Sequence, residues 1–196
     1  MPSSYEIGRL LRAGTTGFIA GCCVSQFDTP LFGGLVRTPL GNGYQVYGLI
    51  YDIHIDDDGL VRQLVTAENI SDEVMRDNRE RRIVPVEMSV LTVGYEQDGK
   101  VFHLLPPRPP LSLDIIYLCD STDLKRFTST GRFGYFRHIL RAQDAPIAEI
   151  LAAHIQQAGA AQDPKWKESA TQELITLLRD DYPTLMNVLG ALGEVL

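Results

Sequence analysis

The stretch Gly94-Tyr95-Glu96-Gln97-Asp98-Gly99-Lys100-Val101 has the spacing of a phosphate-binding loop, G-x-x-x-x-G-K. Such a loop would hold a nucleotide's phosphates on backbone N–H groups and bring a lysine to their charge. Three residue choices argue against it. Val101 stands where Ser or Thr would hold magnesium, and Glu96 and Asp98 put negative charge where polyphosphate would sit. The residues that follow, Val101-Phe102-His103-Leu104-Leu105, read as a strand running into prolines, whereas phosphate needs a helix N-terminus. A β-hairpin turn is the expected outcome.

Other reactive side chains are scattered. Asp52, Asp56, Asp57 and Asp58 offer oxygen ligands to a hard cation, but D-D-D-G lacks the alternating spacing and distal Glu of a calcium loop. A solvated turn guarding a strand edge is the simpler expectation. A metal-dependent hydrolase would need these acids to converge with a histidine. The four histidines, His54, His103, His138 and His154, include no pair three or four residues apart. Cys22, Cys23 and Cys119 form no C-x-x-C and no metal-ligand spacing. Adjacent Cys22 and Cys23 on a strand would face opposite ways, so thiols in a reducing compartment are expected. G-x-S-x-G, H-E-x-x-H and a dinucleotide fingerprint are all missing from the sequence. No catalytic residue, metal or cofactor is assigned.

Basic residues form two groups. Arg76, Arg79, Arg81 and Arg82 lie among acids that largely neutralise them. Lys125, Arg126, Arg132, Arg137 and Arg141 interleave with Phe127, Phe133, Tyr135 and Phe136, a mixture that suits single-stranded nucleic acid. Yet Phe133, Phe136 and Leu140 are also spaced as the buried stripe of a helix. A net charge of −7 repels phosphates overall, so nucleic acid is not expected to be bound by this protein alone. The run Pro106-Pro107-Arg108-Pro109-Pro110 holds two PxxP frames without the flanking basic residue that SH3-type grooves read, and is expected to be a stiff connector.

The elements that carry these residues change character near residue 112. Before it, short alternating or continuous apolar runs with Gly and Asp turns predict strands at 5–12, 17–24, 34–38, 44–55, 84–95 and 101–105. Ala13-Gly14-Thr15-Thr16 links the first pair, and Gly41-Asn42-Gly43 and Asp98-Gly99 supply positive φ for hairpins. Residues 60–82 interrupt the strands with a charged excursion. After residue 112 the apolar spacing becomes helical. Short helices are expected from Ser121 or Thr122 and over 133–141. Longer ones carry Ile147, Ile150, Leu151 and Ile155, then Trp166, Ala170, Leu174, Leu177 and Leu178, then Leu185, Val188, Leu189, Leu192 and Val195. The last two, split at Asp181-Tyr182-Pro183, are expected to form an antiparallel hairpin. With 196 residues, 44% hydrophobic and 22% charged, the composition is that of an ordinary globular protein. The apolar run at 17–24 is too short to span a bilayer and the N-terminus has no basic leader, so a cytoplasmic location is expected.

Taken together, Ile7-Gly8-Arg9-Leu10, Thr15-Thr16, Phe32-Gly33-Gly34-Leu35-Val36, Val46-Tyr47-Gly48-Leu49-Ile50-Tyr51 and Val93-Gly94-Tyr95 resemble the HAS barrel. This is the small barrel at the N-termini of HerA-type DNA-translocating ATPases and of rotary ATP-synthase α and β subunits. The closest likeness is to stand-alone HAS-barrel proteins of cyanobacterial type, which share a Leu-Pro-Pro-Arg-Pro-Pro segment, here 105–110, and a late Leu-Leu-x-Asp-Asp-Tyr, here 177–182. The resemblance implies a barrel that assembles or docks. Helices stand where the ATPases carry their nucleotide domain, so no catalytic residue is carried over.

The expectation is therefore an α+β protein. Residues 1–112 form a small closed β-barrel of five or six strands, filled by its own side chains, and residues 113–196 form a helical region ending in the hairpin. Gly8, Gly34 and Gly48 are assigned structural roles at close backbone approaches or bends. The expected function is that of a non-enzymatic assembly or adaptor protein, self-associating or bound to a protein partner such as an ATPase. The alternatives are a nucleic-acid accessory protein using Lys125, Arg126, Arg132, Arg137 and Arg141, and the metal-dependent hydrolase.

Overall fold

A computed structural model describes residues 5–25, 30–55, 66 and 83–195. Seven strands run β1 (Tyr5–Ala13), β2 (Gly17–Ser25), β3 (Leu35–Gly41), β4 (Tyr44–Ile55), β5 (Ile83–Gln97), β6 (Lys100–Phe102) and β7 (Ile115–Leu118). Their order is β2-β1-β7-β3-β4-β5, and β2 also pairs with β5. Six antiparallel strands thus close into a barrel, with β6 a short hairpin extension of β5. The barrel is the expected one, but its closing strand is not. The run predicted at 101–105 contributes only β6, whereas β7, beyond residue 112, completes the ring by pairing with both β1 and β3. Four residues, Ile-Ile-Tyr-Leu, are too few to display a period of two, so this strand was invisible as a pattern.

The turn chemistry acts where it was read. Gly41, Asn42 and Gly43 have φ of 81°, 50° and 68°, and Asp98 and Gly99 have 51° and 80°, the positive values that tight hairpins require. Register shifts occur in β1, β3 and β4, including Tyr47/Gly48 and Ile50/Asp52 against β5. Each extra residue raises local twist, which lets so few strands close.

Gly48 sits at one of these shifts, where β4 meets β5 most closely. A Cβ there would lie 2.4 Å from Val90 Cγ1, 3.0 Å from the Leu91 carbonyl oxygen and 3.2 Å from Phe18 Cζ. Gly48→Val should therefore destabilise the protein by about 1–3 kcal/mol through overpacking, measurable as a lowered urea midpoint. A midpoint equal to the parent's would show that the interior yields at this position. Gly8 is as tightly held, its missing Cβ lying 2.4 Å from the Gly21 carbonyl oxygen. Gly34 would meet the Leu31 carbonyl oxygen at 2.9 Å.

The barrel interior is filled by Ile7, Leu10, Phe18, Ala20, Val36, Val46, Ile50, Val86, Met88, Val90 and Ile116. Alternate residues of the same strands face the other way. Leu35, Tyr47, Leu49, Val93 and Val101 join a second core with the helices. These are α1 (Ser121–Thr128), α2 (Phe136–Leu140), α3 (Ile147–Gly159), α4 (Lys165–Leu177) and α5 (Tyr182–Gly193), with a single 3₁₀ turn at Gly131–Phe133. Asp120 caps α1 by accepting from the N–H groups of Thr122 and Asp123, and Asp181 caps α5 by accepting from that of Thr184. Most of the expected stripes are in place: Ile150, Leu151 and Ile155 on α3, Trp166, Ala170 and Leu174 on α4, and Val188 and Leu192 on α5 are buried, but Leu177, expected on the α4 stripe, is exposed at the end of that helix. However, α5 packs chiefly against α3 and only lightly against α4, so the last two helices share their packing with a third. Among the described residues, no helix is long and apolar enough to cross a membrane.

Candidate functional site

The near-match to a phosphate loop is a hairpin between β5 and β6, and its acids have other work. Glu96 is nearly fully buried on β5, where its Oε2 accepts from Tyr47 Oη at 2.8 Å, Gln45 Nε2 at 2.7 Å and Arg126 Nη2 at 2.8 Å. Tyr47 Oη in turn accepts from Gln45 Nε2 at 2.8 Å and Arg126 Nη2 at 2.9 Å. Burial first, and the Glu96 carboxylate second, hold the Tyr47 phenol protonated far above its ordinary range. Asp123, one turn before Arg126 on α1, reaches Arg37 Nε at 2.9 Å, and Arg37 also donates to Gln45 Oε1 at 3.2 Å. These bonds clasp α1 to strands β3, β4 and β5.

The basic and aromatic run between 125 and 141 does not form one face. Phe127, Tyr135 and Phe136 are fully buried, and Phe133 packs on Phe136 and Trp166. Their rings are therefore withheld from bases. Arg126 is held in the clasp, exposed Arg132 lies 3.8 Å from Glu173, and Arg137 donates to the His103 carbonyl. Lys125 and Arg141 are exposed at separate places, the first beside Ser121 and Ala161 and the second near Arg12. The aromatics are core residues, as the alternative reading expects, but not on one helical stripe: Phe133 lies in the 3₁₀ turn with a φ of 58°, and the helix expected over 133–141 is confined to Phe136–Leu140.

Asp52 and His54 are exposed on β4, while Asp56, Asp57 and Asp58, the excursion at 60–82 and its arginines lie outside the described residues. Among the described residues no group of three or more His, Cys, Asp or Glu is placed to hold a metal ion. Cys119 is buried, and burial, followed by the nearby Asp123 carboxylate, raises its thiol pKa well above the usual value. The proline run lies on the barrel: Tyr44 Oη donates to the Arg108 carbonyl at 3.3 Å, and the Arg108 guanidinium lies 5.2 Å from the Tyr44 ring centre.

What the surface does offer is apolar. Residues 111–114 turn back along β1, with Leu113 N–H donating to the Leu10 carbonyl at 2.8 Å and Ser112 Oγ to the Leu11 carbonyl at 3.2 Å. This brings Leu11, Leu111 and Leu113 to one corner of the barrel with 49%, 70% and 69% of their surfaces exposed. Leu113 has a φ of 72°, a left-handed conformation that costs a leucine about 1–2 kcal/mol. The strain is fixed by that hydrogen bond and by Arg9 Nη1 donating to the Leu113 carbonyl at 3.1 Å. A second apolar group, Leu177, Tyr182 and Met186, is exposed where α4 passes into α5. Nothing in the sequence pattern marked Leu113, whose significance depends on its backbone angle.

No protein-family model matches this chain, and no curated protein matches it significantly.

Proposed function

We propose that the protein is a non-enzymatic assembly or adaptor protein that works through protein–protein contacts, with a HerA-type or other ATPase as the partner class the HAS-barrel resemblance implies. The observation that carries this reading is the leucine corner of the barrel. Exposed leucines brought together from β1 and the turn at 111–114, one of them held in a strained conformation that solvent exposure does not reward, are what a docking surface presents before its partner arrives. The ionisable groups around Glu96 support the same reading, because they are spent on bonds that hold α1 to the barrel. The exposed apolar group at the α4–α5 junction supplies a second face, as an adaptor requires.

The test pairs Leu111→Ser with Leu113→Gly. Glycine accepts the left-handed conformation, so the double variant should keep the parent's unfolding free energy in urea within about 1 kcal/mol. The parent should run as an oligomer by light scattering, or copurify with an ATPase from its native cells, and the variant should lose that association. A parent that is monomeric and brings down no protein would overturn the proposal. So would a folded variant that associates as the parent does.

A further inference from the structure

A cleft of about 670 Å³ lies between the β1–β2 corner, the middle of β5 and the chain that follows α2. Its volume is that of a small-molecule site, and most of its wall is apolar: Phe18, Ile19, Tyr51, Val90, Leu91 and Leu105. Its charged residues are all cationic. Arg12 comes from the end of β1 and Arg141 from the end of α2, and both are exposed. Neither makes an ion pair among the described residues, and no Asp or Glu among them lines the cleft. In a chain of net charge −7, two guanidiniums with no carboxylate partner among the described residues, beside one apolar wall, are a local inversion of the protein's field.

The polar groups beside them fit the same ligand. His138 also lines the cleft, its Nε2 already engaged with the His103 carbonyl at 3.2 Å. Burial, and then Arg137 and Arg141, keep its pKa below the ordinary histidine value. The fixed positive charge therefore rests with the arginines.

We infer that this cleft binds a small amphipathic organic anion, its carboxylate or phosphate taken by Arg12 and Arg141 and its apolar body laid against Ile19, Tyr51, Leu91 and Leu105. A bare inorganic anion would leave the apolar wall wet, and an alkylammonium would meet two like charges. The site is independent of the leucine corner and of whether the protein assembles.

The test titrates the full chain with octanoate, octyl phosphate, inorganic phosphate and octylammonium, followed by amide NMR shifts. At least one of the two octyl anions should saturate and shift Gly14, Gly17, Thr92 and Ala142, while octylammonium should not. Arg12→Gln and Arg141→Gln change exposed side chains, so folding is preserved and checked by the rest of the spectrum. Each should weaken the bound anion by about tenfold or more, the worth of a charge-assisted hydrogen bond. The inference is overturned if neither octyl anion shifts these amides. It is equally overturned if octylammonium binds as well as they do, or if both arginine variants bind like the parent.

Discussion

Gly33→Ala should be among the most damaging single-methyl changes in the protein, lowering its stability by about 2–5 kcal/mol. Two costs combine. Gly33 has a φ of 78°, which charges any residue with a Cβ about 1–2 kcal/mol. Its missing Cβ would also lie 2.6 Å from Ala153 Cβ and 2.9 Å from the His154 backbone nitrogen, inside the body of α3. The loop cannot back away, because Gly33 N–H donates to the Ile50 carbonyl at 2.8 Å, and Gln157 Nε2 on α3 donates to the Phe32 carbonyl at 2.8 Å. The loop is therefore pinned between β4 and α3, and the added methyl adds about 1–3 kcal/mol of overpacking. Gly41→Ala separates the two costs: its φ is 81° but nothing lies within 4 Å of its Cβ position, so it should lose only the conformational share. Adding Ala153→Gly to Gly33→Ala should return about 1 kcal/mol as a coupling energy in a double-mutant cycle. Equal losses for Gly33→Ala and Gly41→Ala in urea titrations would mean that the loop and helix are not in the contact described.

That joint also marks how far the residues alone could be read. Phe32-Gly33-Gly34-Leu35-Val36 was legible as the approach to a strand, with Gly34 assigned the structural role, but the tighter constraint falls on Gly33. Two adjacent glycines look alike in sequence, and only the position of α3, more than a hundred residues later, distinguishes them. The hairpins at Gly41-Asn42-Gly43 and Asp98-Gly99 were legible because a tight turn is a local object whose backbone angles dictate its residues. Helices α3, α4 and α5 were legible because their stripes repeat often enough to establish a period. Strand β7 was not, having four residues and no repeat. The clasp of Tyr47, Glu96, Asp123 and Arg126 and the cleft of Arg12 and Arg141 were hidden for a different reason. Each joins side chains from strands and helices far apart in the chain, and no spacing rule connects them. The aromatics between the arginines of 125–141 could have belonged to a stacking surface or to a core, and burial of Phe127, Tyr135 and Phe136 decides for the core.

The same α3 seam should make the protein acid-sensitive above the pH at which carboxylates titrate. His154 follows Ala153 into the contact with Gly33 and is fully buried. Its Nε2 lies 3.0 Å from Tyr135 Oη. Burial disfavours the imidazolium and lowers the pKa from 6.5 to about 4, with the Gly33 backbone opposing the shift only in part. In the unfolded chain the ring titrates at its ordinary value, so between these two values the unfolded state holds the extra proton. Stability is therefore complete above about pH 6.5, falls as pH drops toward 4, and loses about 3 kcal/mol from this group over that span. His103 and His138, whose pKa values burial also lowers, add to the loss with the same sign. Trp166, the only tryptophan, lies buried in the helical core and reports unfolding directly. Urea titrations followed by its fluorescence should show the parent losing about 2–3 kcal/mol more than His154→Gln between about pH 7 and about pH 4.5. The variant will start lower, since it disturbs the bond to Tyr135, so the informative quantity is the slope with pH. Parallel slopes for the two proteins would mean that His154 either takes up its proton in the folded state or is not buried against α3's neighbours as described.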